Sequence, residues 1–216
     1  MKKRRLVLSL LSGTLMLGFS TMAFASSPPE HNRQNKTNWC WAATAMLVGE
    51  TNGGYTLDQK AVELDDQNGC IVGSAGKADN GRFTAWNPQR AIVVDWYGND
   101  GNNIGTFDAL QNGLQIASAD DMEIGRASIN TGNLISTAKS ELNADRYVAA
   151  FVSTDFNSVG HFLTMVYYDQ ITKEYCLYDP WDQTTLLVSE NDAFTKGILV
   201  AGWKTKKPIL RVDYCR

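Results

Sequence analysis

Asn38-Trp39-Cys40-Trp41-Ala42-Ala43-Thr44-Ala45-Met46-Leu47-Val48-Gly49-Glu50 is the stretch on which the reading of this chain turns. From Cys40 onward it is apolar nearly all round and rich in Ala, which predicts a buried helix, and Gly53-Gly54 supplies a stop. The cysteine therefore falls at the helix start. A thiol is a useful nucleophile only as thiolate, and a helix N-terminus with a neighbouring imidazolium lowers its pKa from about 8.5 to well under 7.5. Position meets the first condition; the second requires a histidine.

The chain has two histidines, His31 and His161. His31 stands close upstream of Cys40, near an N-terminus expected to be flexible, and is poorly placed to be held rigidly. His161 follows Gly160 at the head of Phe162-Leu163-Thr164-Met165-Val166-Tyr167-Tyr168, so a strand holds it and the glycine is expected to leave room beside its ring. A general base also needs an acceptor that fixes its tautomer. Asp179 is that candidate, at the end of the next strand across a hairpin turning near 170–173. Trp181 is placed to cover the contact, and Asp182 is a rival orienter. An oxyanion needs donors: the side-chain amide of Gln34 and the backbone N–H of Cys40 are suited to that work. Singly, each has a plainer explanation: core packing for Cys40, a turn before proline for Asp179, a surface position for Gln34.

Around these residues the pattern is helices first and a sheet after. Helical spacing behind a capping residue predicts helices over 106–116 and 133–142. After Asn143, short runs dense in Val, Leu, Tyr and Phe at 147–153, 161–168, 174–178, 184–188 and 198–203 predict successive antiparallel strands, with a helical turn at 191–196. The fold class is therefore α+β, with the cysteine in the helical part and the histidine and aspartate on the sheet. Residues 65–86, rich in Gly, Asn and Asp, read as a long surface loop of the kind that often carries specificity.

The first 25 residues stand apart: Lys2-Lys3-Arg4-Arg5, an apolar stretch to Phe19, then the small-x-small Ala23-Phe24-Ala25. This reads as a signal peptide cut after Ala25, since the stretch carries Ser9, Ser12, Gly13, Thr14 and Gly18 and falls short of the roughly 20 apolar residues of a spanning helix. The expected product is a secreted or periplasmic chain, 26–216, forming one domain and acting as a monomer with no membrane attachment. Cleavage takes four of the 20 Lys plus Arg and none of the 23 Asp plus Glu, leaving 16 against 23 and a net charge of −7. So acidic a chain is unsuited to nucleic acid. Two histidines and the scattered Cys40, Cys70, Cys176 and Cys215 make no ligand cluster, so neither metal nor organic cofactor is expected. With Cys40 free, at most one disulfide forms; Cys176 with Cys215 is the expected pair, both lying in the strand-rich half.

Gln34, five residues, then Cys40-Trp41-Ala42, with a histidine leading an apolar strand and Asp179-Pro180-Trp181 after it, resemble the papain-like cysteine peptidases. Trp39-Cys40-Trp41-Ala42-Ala43 and the Asp-Pro-Trp triplet look most like the small bacterial branch that includes AvrRpt2-type and bacteriocin-leader-type (C39-like) peptidases. The resemblance implies a papain-like fold and protein or peptide substrates, with Cys40 as nucleophile, His161 as base and acid, Asp179 as orienter and Gln34 as oxyanion donor. The sequence departs from the plant enzymes in having Asn38-Trp39 before the cysteine and no nearby disulfide partner. The short stretch between Ala25 and Cys40 leaves no room for an inhibitory propeptide. Two other readings use the same residues: an amidase or transferase acting on cell-wall or other amides, and a secreted binding protein that keeps the fold without turnover. Host-directed effectors occur in this branch, but nothing in the residues selects that role.

Overall fold

A computed structural model of the chain describes residues 33–53, 88–118, 121–128, 130–156, 158–200 and 202–216. The expected signal peptide, His31, Cys70 and the expected loop over 65–86 lie outside the described residues. Among the described residues three helices come first: α1 (Cys40–Gly53), α2 (Pro88–Tyr97) and α3 (Phe107–Ala117). Then follow β1 (Ile124–Ser128), α4 (Thr131–Leu142), β2 (Val148–Val152), β3 (His161–Asp169), β4 (Glu174–Asp179), β5 (Thr184–Ser189), a π-helical turn (Asp192–Lys196) and β6 (Ile209–Cys215). The six strands form one antiparallel sheet in the order β1-β6-β2-β3-β4-β5. The class is α+β, with the first helices on the N-terminal side and the sheet after them, as in a papain-like fold.

The sheet is covered on both faces. Ala149, Phe151 and Phe162 face the core built by Trp41, Ala45, Val48, Ile92, Leu110 and Leu114 of the first three helices. Val148, Ala150, Val152 and Leu163 point the other way, onto Leu134, Ala138 and Leu142 of α4 and onto Phe194, Ile198 and Val200. This is why every residue of β2 is buried instead of alternating with solvent. On the helix side α1 and α3 approach closely through small residues: a Cβ on Gly49 would stand 2.5 Å from Ala117 Cβ, and one on Gly113 would stand 2.9 Å from Ala45 Cβ.

The helix at 107–117 starts as expected, with Thr106 Oγ1 accepting from the Ala109 N–H. The helix expected from Asn133 begins earlier, because Asn130 is the cap and accepts from the Gly132 and Asn133 N–H groups. The described residues of 198–203 do not form the expected strand. Their apolar side chains, Ile198 and Val200, anchor a loop whose base is a single bridge between Ile198 and Lys207, and Gly197 and Gly202 take φ of +90° and +77°, outside the strand region. The expected Cys176–Cys215 disulfide is also absent: both are buried free thiols. Cys176 is in β4 and Cys215 in β6, with β2 and β3 between them. Three interstrand steps of about 4.8 Å separate them by about 14 Å, twice the Cα span of a disulfide.

Candidate active site

Cys40 is the first residue of α1, entered through a turn in which the Trp39 N–H donates to Lys36 O and the Ala43 N–H to Trp39 O. As the first helical residue, Cys40 has a backbone N–H with no acceptor inside the helix. The turn is held by what surrounds it. The Trp39 and Trp41 indole N–H groups donate to Gly101 O and Asn103 O. Asn38 donates to Asn102 Oδ1 through its backbone and to Asn102 O through its amide, and Lys36 Nζ reaches Asp100 O. Lys36, Asn38, Trp39 and Trp41 thus clamp residues 100–103 in place, within the segment 99–105. Its Gly105 lies so close to Trp41 that a Cβ there would be 2.2 Å from the indole.

His161 opens β3 and Asp179 closes β4. Thr164 pairs with Tyr178, so Asp179 falls opposite Leu163, diagonally across from His161 on the same face. His161 Nε2 donates to Asp179 Oδ1 at 2.7 Å, a contact in which the histidine is 7% and the aspartate 1% exposed. With Nε2 committed to a carboxylate, Nδ1 is the nitrogen left for the thiol, and Cys40 is the other polar neighbour of the ring. Burial pulls the histidine pKa down, but the negative charge of Cys40 and the hydrogen bonds to Asp179 and Cys40 outweigh it and raise it to about 10. The imidazolium is therefore the resting form at neutral pH.

The rival orienter is occupied elsewhere: Asp182 Oδ1 accepts from the Thr184 N–H and hydroxyl. Trp181 does touch the contact, but through its backbone, whose N–H donates to Asp179 Oδ1 at 2.9 Å; its side chain is well exposed. The ring packed on His161 is that of Trp203, with centroids 6.2 Å apart at 66°. Gly160 leaves room for Phe151: a Cβ at Gly160 would lie 2.2 Å from the Phe151 ring.

Gln34 is buried beside the site. Its backbone N–H donates to Pro180 O, tying the segment before the nucleophile to the one after Asp179, and buried Gln89 grips the same segment through the Asn35 N–H and Arg33 O. The Gln34 amide Nε2 donates to Lys36 O at 3.0 Å and Thr37 O at 2.7 Å, while Oε1 is buried without a partner. Its amide hydrogens thus point at the turn before Cys40.

Cys40 and His161 lie at the base of a cleft of about 500 Å³. Thr37, Asn38, Gly105 and Phe107 line it on the cysteine side, and Phe156, Val159, Trp181 and Trp203 also face it. Among the described cysteines only Cys40 lines this cleft. Burial pushes the Cys176 and Cys215 thiols up, the latter to about 11, so both stay protonated. Sequence reasoning missed the 99–105 segment and Trp203. The Gly98-Asn99-Asp100-Gly101-Asn102-Asn103 run marks the first as a turn, but no sequence pattern marks Trp203. Among the described residues no group of His, Cys, Asp and Glu is arranged to hold a metal ion.

Comparison with curated proteins returned no match. A thiol at a helix start beside a histidine that is bonded to a buried carboxylate agrees with what the family comparison shows: the model of the Peptidase_C39 like family matches residues 29–205, and the chain belongs to that family of cysteine peptidases.

Proposed function

We propose that the chain is a secreted peptidase that hydrolyses peptide bonds through Cys40, His161 and Asp179 by way of a thioester acyl-enzyme. The observation that carries this reading is the 2.7 Å contact from His161 Nε2 to Asp179 Oδ1 with Cys40 as the other polar neighbour of the ring. His161 takes the Cys40 proton, leaving a thiolate beside the imidazolium. The thiolate attacks the amide carbonyl carbon, a C–S bond forms, and the carbonyl electron pair moves onto oxygen. The backbone N–H of Cys40 meets that oxyanion. Gln34 supplies a second donor once one amide hydrogen turns from Lys36 O, which keeps the Trp39 N–H as a partner.

Collapse of the intermediate breaks the C–N bond as His161 gives its proton to the leaving amine. Neutral His161 then takes a proton from water, the hydroxide attacks the thioester, and the C–S bond breaks to release the acid and restore the ion pair. Asp179 holds the ring through both proton transfers. These residues and water account for every proton and electron pair. Export rests on the basic start, apolar stretch and Ala23-Phe24-Ala25 of the first 25 residues; among the described residues no helix is long and apolar enough to cross a membrane.

The experiment is mass spectrometry of the folded chain after brief exposure to a papain-type epoxide, with Cys40→Ala and His161→Ala as controls and casein cleavage in parallel. Labelling confined to Cys40, weakened by loss of His161 and matched by lost cleavage, is the expected result. A folded, reduced protein that takes no label overturns the proposal in favour of a binding protein without turnover. Labelling with no cleavage of casein or other peptides, but release of ammonia or acyl transfer from simple amides, overturns the peptidase assignment alone.

A further inference from the structure

Trp203 reaches His161 by a route built for the purpose. The loop that carries it leaves the core at Ile198, 3% exposed, and Val200, 2% exposed. It is closed at its base by reciprocal backbone hydrogen bonds between Ile198 and Lys207, of 2.9 and 3.0 Å. Within it the Trp203 N–H donates to Val200 O at 3.2 Å, tightening a turn that Gly202 permits with its φ of +77°. Gly197 cannot be larger, because a Cβ there would stand 2.7 Å from the Lys207 backbone. Lys207 then folds over the indole with Nζ 3.9 Å from the ring centroid.

The consequence is a ring fixed on three sides, by the turn, by the ammonium and by the imidazole it meets at 66°. His161 needs such a wall. The hydrogen bond to Asp179 runs along one edge of the imidazole and leaves the ring free to rock about it, and water entering beside the bond would compete for the carboxylate. The aromatic residue two positions after the orienter, Trp181, contributes its backbone N–H to Asp179, and its side chain is 39% exposed.

Resting on the proposed roles of Cys40, His161 and Asp179, we infer that Trp203, braced by Lys207, is a positioning residue that holds the His161 ring in line between Asp179 and Cys40. Trp181 secures the aspartate, and Trp203 secures the histidine. The charged groups facing His161 are Cys40 from α1, Asp179 from β4, and Lys207 beyond the indole.

The test follows Cys40 alkylation by iodoacetamide against pH, together with peptide kcat and KM, in the wild type, Trp203→Ala, Trp203→Phe, Lys207→Met and Asp179→Ala. An ion pair gives rapid alkylation at pH 5–7, where an unpaired thiol is almost unreactive. Trp203→Ala is expected to lose most of that plateau and to lower kcat about ten-fold or more with little change in KM; Trp203→Phe restores both in large part, and Lys207→Met falls between. Should Trp203→Ala fail to fold, Trp203→Leu keeps the apolar volume without the ring and is read in the same way. Trp203 variants with wild-type plateau and kcat, beside an Asp179→Ala variant that loses them, overturn this inference and leave the proposed function standing. Absence of the low-pH plateau in the wild type overturns the proposed function, and with it this inference.

Discussion

At the scale of single residues the site is governed by which groups face His161. Its pKa is raised from its ordinary 6.5 to about 10, so the imidazolium persists through neutral pH and is lost only as pH rises through that value. The alkaline limb of kcat/KM belongs to the coupled Cys40–His161 pair and is expected near pH 10. Asp179→Asn removes a charged hydrogen bond worth about 1.5–3 kcal/mol. The limb should shift to lower pH and kcat/KM should fall about 10- to 100-fold; a profile of unchanged shape would deny Asp179 its role. Gln34→Ala tests the oxyanion donor separately. A loss of about 10²- to 10³-fold in kcat with Cys40 alkylation retained is expected, whereas equal loss of alkylation would assign Gln34 to shaping the turn before Cys40. The cysteine, histidine and aspartate were legible because few side chains of the right chemistry exist in this chain, which has two histidines in all. The bonds of the Gln34 amide to Lys36 O and Thr37 O were not, because they depend on the path of a three-residue turn.

Among the elements, those with an unbroken apolar pattern were the readable ones. Helix α1 is buried from Cys40 to Gly49, and β2 through β5 follow the expected runs. Three elements escaped. Helix α2 carries Ile92-Val93-Val94, a β-branched run that hides a helix begun by proline at its first position. Strand β1 contains a glycine and an arginine among five residues. Strand β6 buries Arg211 and Asp213, which read as solvent-facing charges but satisfy one another at 2.7 Å, with Arg126 adding a further bond to Asp213. Arg211 also lies 4.0 Å from the Phe107 ring, under the cleft wall. The segment 99–105 forms that wall beside Phe107 and touches the tryptophans on either side of Cys40. Gly105→Ala therefore places a methyl group against the Trp41 ring, at an approach of 2.2 Å. A destabilisation of about 1–3 kcal/mol in urea titration is expected, together with weakened peptide binding. A variant as stable as the wild type would mean that the segment yields easily and does not fix the wall.

For the molecule as a whole, the reacting groups come from two layers that meet only when the chain is folded. Cys40 belongs to the helix layer, His161 and Asp179 to the sheet, and they are brought together by burial of Trp39, Trp41, Ala42, Met46 and Val48 with Ala149, Phe151 and Phe162. The last strand closes this arrangement: β6 inserts between β1 and β2, and its Cys215 reaches back to Val48 O of α1. Sheet order of this kind cannot be read from local patterns, because the partner of β1 is the end of the chain. It also predicts how the protein comes apart. Undocking would expose Trp41, Ala45, Val48, Ile92, Leu110 and Leu114 together with Ala149, Phe151 and Phe162, the core on that face of the sheet. Tryptophan fluorescence, far-UV circular dichroism and rapid Cys40 alkylation at pH 6 should therefore be lost at the same urea concentration, in one transition. Loss of alkylation well before the dichroism changes would show instead that the helix layer separates from an intact sheet, and that the contact between Cys40 and His161 is a weak docking rather than a product of the common core.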